Sequence, residues 1–202
     1  MKTTSISEET FHTINAHVNK SCAVFNADEL AIFNSLLEIR KVKKKTFLLQ
    51  QGEICDFEAY ISKGCIRSYF INENGSEVIL QFGIEDWWVS DIASFHEQQP
   101  SHQFIETLED CELLVLTAES KEELLRRIPK FERFFRLMVQ RNLTSLQNRL
   151  MNTISMTAEE KYLDFSKRYP MIAQRVPQLQ IASYLGISAE FLSKVRTRLA
   201  KK

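Results

Sequence analysis

Phe11, Ile14 and Val18 recur at spacings of three and four, the rhythm of one apolar helix face. Leu30, Phe33 and Leu36-Leu37 repeat it after Asn26 and Glu29, which are spaced as a capping box. The texture changes at Ile39. Short β-prone runs follow at Arg40–Lys44, Thr46–Leu49, Glu58–Ser62, Cys65–Ile71, Glu77–Phe82, Phe104–Leu108 and Cys111–Thr117. Gln51-Gly52-Glu53, Lys63-Gly64 and Asn72-Glu-Asn-Gly75 separate several of them. Many short strands at fairly even spacing predict a sandwich or barrel, and Asn74-Gly75 marks the surest hairpin.

A helical rhythm then returns. Ser120 and Glu123 are spaced as a capping box for a short helix through Ile128, and Pro129 opens the next. From Phe131 to Ile154 there is no Gly or Pro, and Phe131, Phe134, Phe135, Met138, Val139, Leu143, Leu146, Leu150 and Ile154 form an apolar stripe. Such a helix is about 40 Å long and needs a partner for that stripe, either its own body or a second copy across a two-fold axis. The second copy is the expectation. Thr157 with Glu160 caps a further helix that ends near Tyr169-Pro170, and Pro177 opens one from Gln178 to Leu185. The unit boundaries fall at 128/129 and 155/156.

Composition adds constraints. No run approaches the roughly 18 apolar residues of a membrane helix, and the first residues lack the apolar middle of a signal peptide. A cytoplasmic protein without a membrane partner is expected. Cys22, Cys55, Cys65 and Cys111 are scattered, and the four histidines form no metal pattern, so neither a metal nor another cofactor is expected. Net charge is zero, yet residues 157–202 hold nine Lys/Arg against four Asp/Glu. A basic end on an acidic body suggests that the end meets a polyanion. No catalytic triad, P-loop, H-E-x-x-H or Gly-rich nucleotide fingerprint is present, so an enzyme is not expected; Asp91, His96 and His102 read as polar loop residues.

The basic end has the layout of a helix-turn-helix. Gly186 follows Ile181, Ala182 and Leu185, where a left-handed turn residue is needed. Small Ala182 lets two helices approach, Ile187 plugs the turn, and Ser188 can cap the second helix. Leu192, Val195 and Leu199 share an inward face. Glu190, Ser193, Lys194, Thr197 and Arg198 are left outward or flanking, with Arg196 beside them, a set able to touch base edges and phosphates of double-stranded DNA. A partner-docking hairpin with no DNA would use the same inward residues. It leaves the glycine turn, capping serine, long helix and basic surplus unexplained together.

The stretch QIASYLGISAEFLSKVRTRL resembles the helix-turn-helix of the bacterial CRP/FNR transcription regulators. Gln51-Gly52-Glu53, Tyr60–Gly64 and Asn74–Glu77 before VILQF resemble that family's β-roll. The resemblance implies an α+β fold: a cyclic-nucleotide-binding-like β-roll, a double-stranded β-helix with flanking helices, over 1–128; a dimerisation helix over 129–155; and a winged-helix-like module over 156–202, its wing truncated because the chain stops soon after. It implies a homodimer on palindromic DNA, with RNA polymerase as a further partner for an activator. Gln178, Ser188, Ala189, Glu190 and Lys194 fall at the family's DNA-facing positions. Glu190 matches its base-reading glutamate, Lys194 replaces an arginine, and Ala189 stands where many members place arginine. In the sensor, the family's Gly-Glu and Arg-Ser segments become Ser90-Asp91 and Ser101-His102. The phosphate-binding cation is gone, so cAMP is not expected to bind in the usual way. Trp88, Ser90, Asp91, Ser101 and His102 remain as the candidate effector pocket, open to a different small molecule, to no ligand, or to a thiol oxidant. The family's oxygen-sensing branch uses an N-terminal cysteine cluster; only Cys22 lies in that region here.

Overall fold

The computed structural model describes residues 9–21 and 24–199, so Cys22 lies outside the described residues. Two helices come first, α1 (Glu9–Ser21) and α2 (Ala27–Ser35). Asn26 and Glu29 form the expected reciprocal box, with Glu29 N donating to Asn26 Oδ1 and Asn26 N to Glu29 Oε2, both at 2.9 Å.

Eight strands follow: β1 (Glu38–Val42), β2 (Phe47–Leu49), β3 (Phe57–Lys63), β4 (Ile66–Ile71), β5 (Glu77–Gly83), β6 (Trp88–Val89), β7 (Phe104–Thr107) and β8 (Cys111–Thr117), with the short helix α3 (Ile92–Glu97) between β6 and β7. They form two antiparallel four-stranded sheets, β1-β8-β3-β6 and β2-β7-β4-β5. This is the β-roll. Its interior holds Leu49, Phe57, Ala59, Ile61, Ile66, Ile105, Leu113 and Val115. Side chains alternate across a strand, so the run Leu113–Leu116 serves two cores. Leu113 and Val115 point into the roll, while Leu114 and Leu116 pack beneath the helices with Ile14, Val18, Phe33 and Tyr60.

Helix α4 (Ala118–Arg127) starts earlier than its sequence suggests. Thr117, not Ser120, is the cap: its hydroxyl accepts from Ser120 N at 3.1 Å. Thr117 ends β8 with an extended backbone, which a capping residue needs; Ser120 is already inside the first turn. The long helix α5 (Lys130–Ser155) buries Phe131, Phe134 and Phe135 against the roll, and from Val139 onward its stripe is uncovered.

Four helices complete the described residues: α6 (Ala158–Arg168), α7 (Pro170–Arg175), α8 (Gln178–Leu185) and α9 (Ala189–Leu199). Thr157 and Glu160 form the expected box. The six-residue α7 is an addition to the sequence reading. Phe165, Ile172, Val176, Ile181, Leu185 and Leu192 form one core, and that core also takes Tyr69, Ile79 and Phe82 from the outer face of the second sheet. The C-terminal helices therefore lie directly on the roll.

Candidate nucleic-acid interface

The turn between α8 and α9 is built on Gly186, whose φ of 67° and ψ of 37° are left-handed. Ile187 N donates to Ala182 O at 3.0 Å and Gly186 N to Ser183 O at 3.1 Å. These two bonds are the Schellman pattern, completed by Ile187 and Ala182 meeting in the same core. Ser188 then caps α9, its hydroxyl accepting from Phe191 N at 3.2 Å. Leu192 and Val195 are 0% and 1% exposed, and they anchor α9 to its neighbours.

Anchoring that face turns the other outward. Ser188, Glu190, Ser193, Lys194, Arg196 and Thr197 are all exposed. The Glu190 carboxyl is held below its ordinary value by its own backbone N–H and the Ser188 hydroxyl, so it is an acceptor at neutral pH. The Thr197 hydroxyl donates to Ser193 O at 2.9 Å, a bond inside its own helix. Three proposed contacts sit differently from the rest. Arg198 is exposed but pairs with Glu159 at the start of α6. Ala189 is half-buried against the core, and Gln178 buries its amide oxygen while its neighbour Leu179 is exposed. Phe191, which the polar pattern passes over, is also exposed on α9.

The sensor residues divide. Asp91 caps α3, accepting from Ser94 N at 3.3 Å and from the Ser101 hydroxyl at 2.7 Å. Both side chains are buried, so the Asp91 carboxylate is taken up by the fold. Burial pushes its carboxyl up, and the hydrogen bonds outweigh this and bring it below the usual range. His102 is exposed. Trp88 and Ser90 instead border a cleft of about 350 Å³ between the roll, α5 and the C-terminal helices, with His17, Phe134, Leu146 and Tyr184. Trp87 shares this wall and packs edge-on against Tyr169. Both tryptophans are half-buried, serving core and cleft at once. Cys55, Cys65 and Cys111 are buried free thiols. Burial pushes Cys65 up to about 12 and Cys111 to about 11, which disfavours a reactive thiolate at neutral pH. Among the described residues, no group of three His, Cys, Asp or Glu side chains could hold a metal ion, and no helix is long and apolar enough to cross a membrane.

Comparison with known proteins agrees with this architecture. Residues 39–128 match the model of the cyclic nucleotide-binding domain. The anaerobic regulatory protein of Haemophilus influenzae is 26% identical over 94% of this chain and 79% of its own length. The transcriptional activator protein Anr of Pseudomonas protegens is 26% identical over 79% of this chain and 69% of its own. Among solved structures, FixK2 from Bradyrhizobium japonicum superposes with a TM-score of 0.70 at 16% identity, covering 82% of this chain and 85% of that one. A β-roll matched by the cyclic nucleotide-binding domain model, a long helix, an exposed helix-turn-helix, and relatives over most of its length that are named as regulators: this chain carries a cyclic nucleotide-binding domain and is similar to transcription regulators of the CRP/FNR kind.

Proposed function

We propose that the protein binds palindromic DNA as a homodimer, paired along α5, with α9 of each copy in a major groove. The single observation that carries this is the split character of α9. One face buries Leu192 and Val195, and the other presents Ser188, Glu190, Ser193, Lys194, Arg196 and Thr197 together. Glu190 would accept from cytosine N4, and Lys194 would donate to guanine O6 and N7. Arg196 would neutralise phosphate. Arg198, tied to Glu159, would set the pitch of α9.

The α5 stripe supports the pairing. Val139, Leu143, Leu146, Leu150 and Ile154 are all exposed at spacings of four, three, four and four, close to a coiled-coil seam. A dimer joined there would address half-sites about one helical turn, or 34 Å, apart. In this reading residues 1–128 are the sensor, 129–155 the pairing helix and 156–202 the reading head, with no enzymatic step.

The sensor's effector site is better sought in the cleft behind Trp88 and Ser90 than at Asp91 and Ser101. A molecule there would touch roll, long helix and reading head together. Millimolar cAMP should leave tryptophan emission and the melting temperature unchanged, because the phosphate-binding arginine is missing and Asp91 is occupied by Ser101. A clear rise in melting temperature would overturn that part.

The main test is selection from a random duplex pool by the wild type and by Lys194→Ala. An enriched palindrome that the variant loses is the expected result. Enrichment unchanged by the variant would overturn the assignment of α9. Binding should also weaken steeply with salt as phosphate contacts release counterions.

A further inference from the structure

We infer that Phe191 reads thymine, through contact of its ring with the C5-methyl group, and so selects an A·T pair in each half-site. The inference rests on the proposed DNA-reading role of α9.

Position is the first argument. Phe191 lies in the first turn of α9, directly after Glu190 and three residues before Lys194. It belongs to none of the three buried cores, whereas the next residue, Leu192, is fully buried. The residue is 46% exposed, on a helix whose other exposed residues before Leu199 are polar or charged.

An exposed aromatic ring alone would mean little. Here it stands on the end of the helix that enters the groove first. The Ser188 hydroxyl accepts from its backbone N–H, which fixes this turn. A phenyl ring accepts no hydrogen bond of useful strength from a base and cannot neutralise a phosphate. The one apolar feature that base pairs present in the major groove is the thymine methyl. Between an anionic acceptor and a cation, the ring therefore supplies the contact that neither neighbour can make. Burying one methyl-sized group corresponds to about fourfold in affinity per half-site.

The test uses the palindrome selected by the intact wild-type protein. Thymines at each half-site position are replaced in turn by deoxyuridine, which removes only the methyl. Wild type should lose about fourfold per half-site at one position. Phe191→Ala should bind the thymine and deoxyuridine duplexes equally, while its binding to unrelated duplexes stays at the wild-type level. Indifference of the wild type to deoxyuridine at every position would overturn the inference, as would the same thymine preference persisting in Phe191→Ala. A uniform loss on all duplexes would also overturn it, because it marks a structural role. The two readings fail separately. A palindrome lost by Lys194→Ala but blind to deoxyuridine removes only the role of Phe191, and no selection by the wild type removes both.

Discussion

Arg149, on the long helix α5, donates to the backbone carbonyl of Tyr184 at 2.9 Å, and its guanidinium lies 4.0 Å from the centroid of the same residue's ring. It also donates to Ile79 O at 3.0 Å and to Leu80 O. Strand β5 is an edge strand, and the register slips there: Ser68 faces Gln81 but Tyr69 faces Ile79, leaving Leu80 as the extra residue. A bulge frees carbonyls that the ladder would otherwise use. Arg149 takes them, and the Ser183 hydroxyl completes the edge by donating to Glu77 O at 2.8 Å and accepting from Ile79 N at 3.1 Å. One guanidinium thus joins roll, long helix and the C-terminal helices.

Replacing Arg149 by Ala should therefore destabilise the folded chain by about 2–4 kcal/mol, since it strands partly buried carbonyls and removes a cation–π contact. Lys should restore only part of this, because one ammonium cannot span three carbonyls held in a fork. Chemical denaturation of the three proteins measures it. Equal stability of the wild type and Arg149→Ala would show that the latch carries no weight.

Arg175 on α7 makes a second tie, donating to Glu85 at 2.6 and 2.9 Å and to Glu109 at 3.0 and 2.6 Å. Burial pushes the Glu85 carboxyl up, but Arg175 and the Gly64 N–H outweigh it and bring it from 4.5 to about 2. A carboxyl lowered by folding stabilises above its unfolded value and loses that contribution as pH falls toward its folded one. Glu85 is 38% exposed, so screening cuts the face-value gain to about 1 kcal/mol. Wild type should melt higher than Glu85→Gln at pH 7, and the gap should close between about pH 4.5 and 2. A gap independent of pH would contradict this.

Gly186→Ala meets no neighbouring atom within 4 Å, so any loss must come from the left-handed backbone alone. The expected cost is about 1–2 kcal/mol, read as a lower melting temperature. A neutral substitution would mean that the turn relaxes readily.

Leu143 and Leu150 are exposed on the α5 stripe and one heptad apart. Changing both to Asp should give monomers in sedimentation at micromolar concentration and sharply weaker binding to a full palindrome, while binding to a single half-site persists. An unchanged dimer would place the pairing surface elsewhere.

Several elements were legible because their causes are local. Asn26 with Glu29 and Thr157 with Glu160 act within one turn, and Gly186 answers a demand of its own backbone. Seven strands followed from alternation and turn residues. Thr117 was missed because the preceding strand ends on the cap itself. Helix α7 is six residues long, too short for a periodic signal, and β6 is two residues recognisable only from its pairing with β3.

The order of residues alone was thus enough to dictate most of the longer elements, their succession, the glycine turn and the buried face of α9, since each depends on residues within a few positions of one another. What those elements meet was settled by folding in three dimensions. Asp91 and Ser101 are ten residues apart and spend their polarity on each other, so a pocket pattern became a helix cap. Arg175 finds carboxylates 66 and 90 residues away, and Arg149 finds carbonyls 69 and 70 residues behind it and 35 ahead. Distances of that kind leave no periodic trace in a chain, because they are set by where the sheets bring the backbone together.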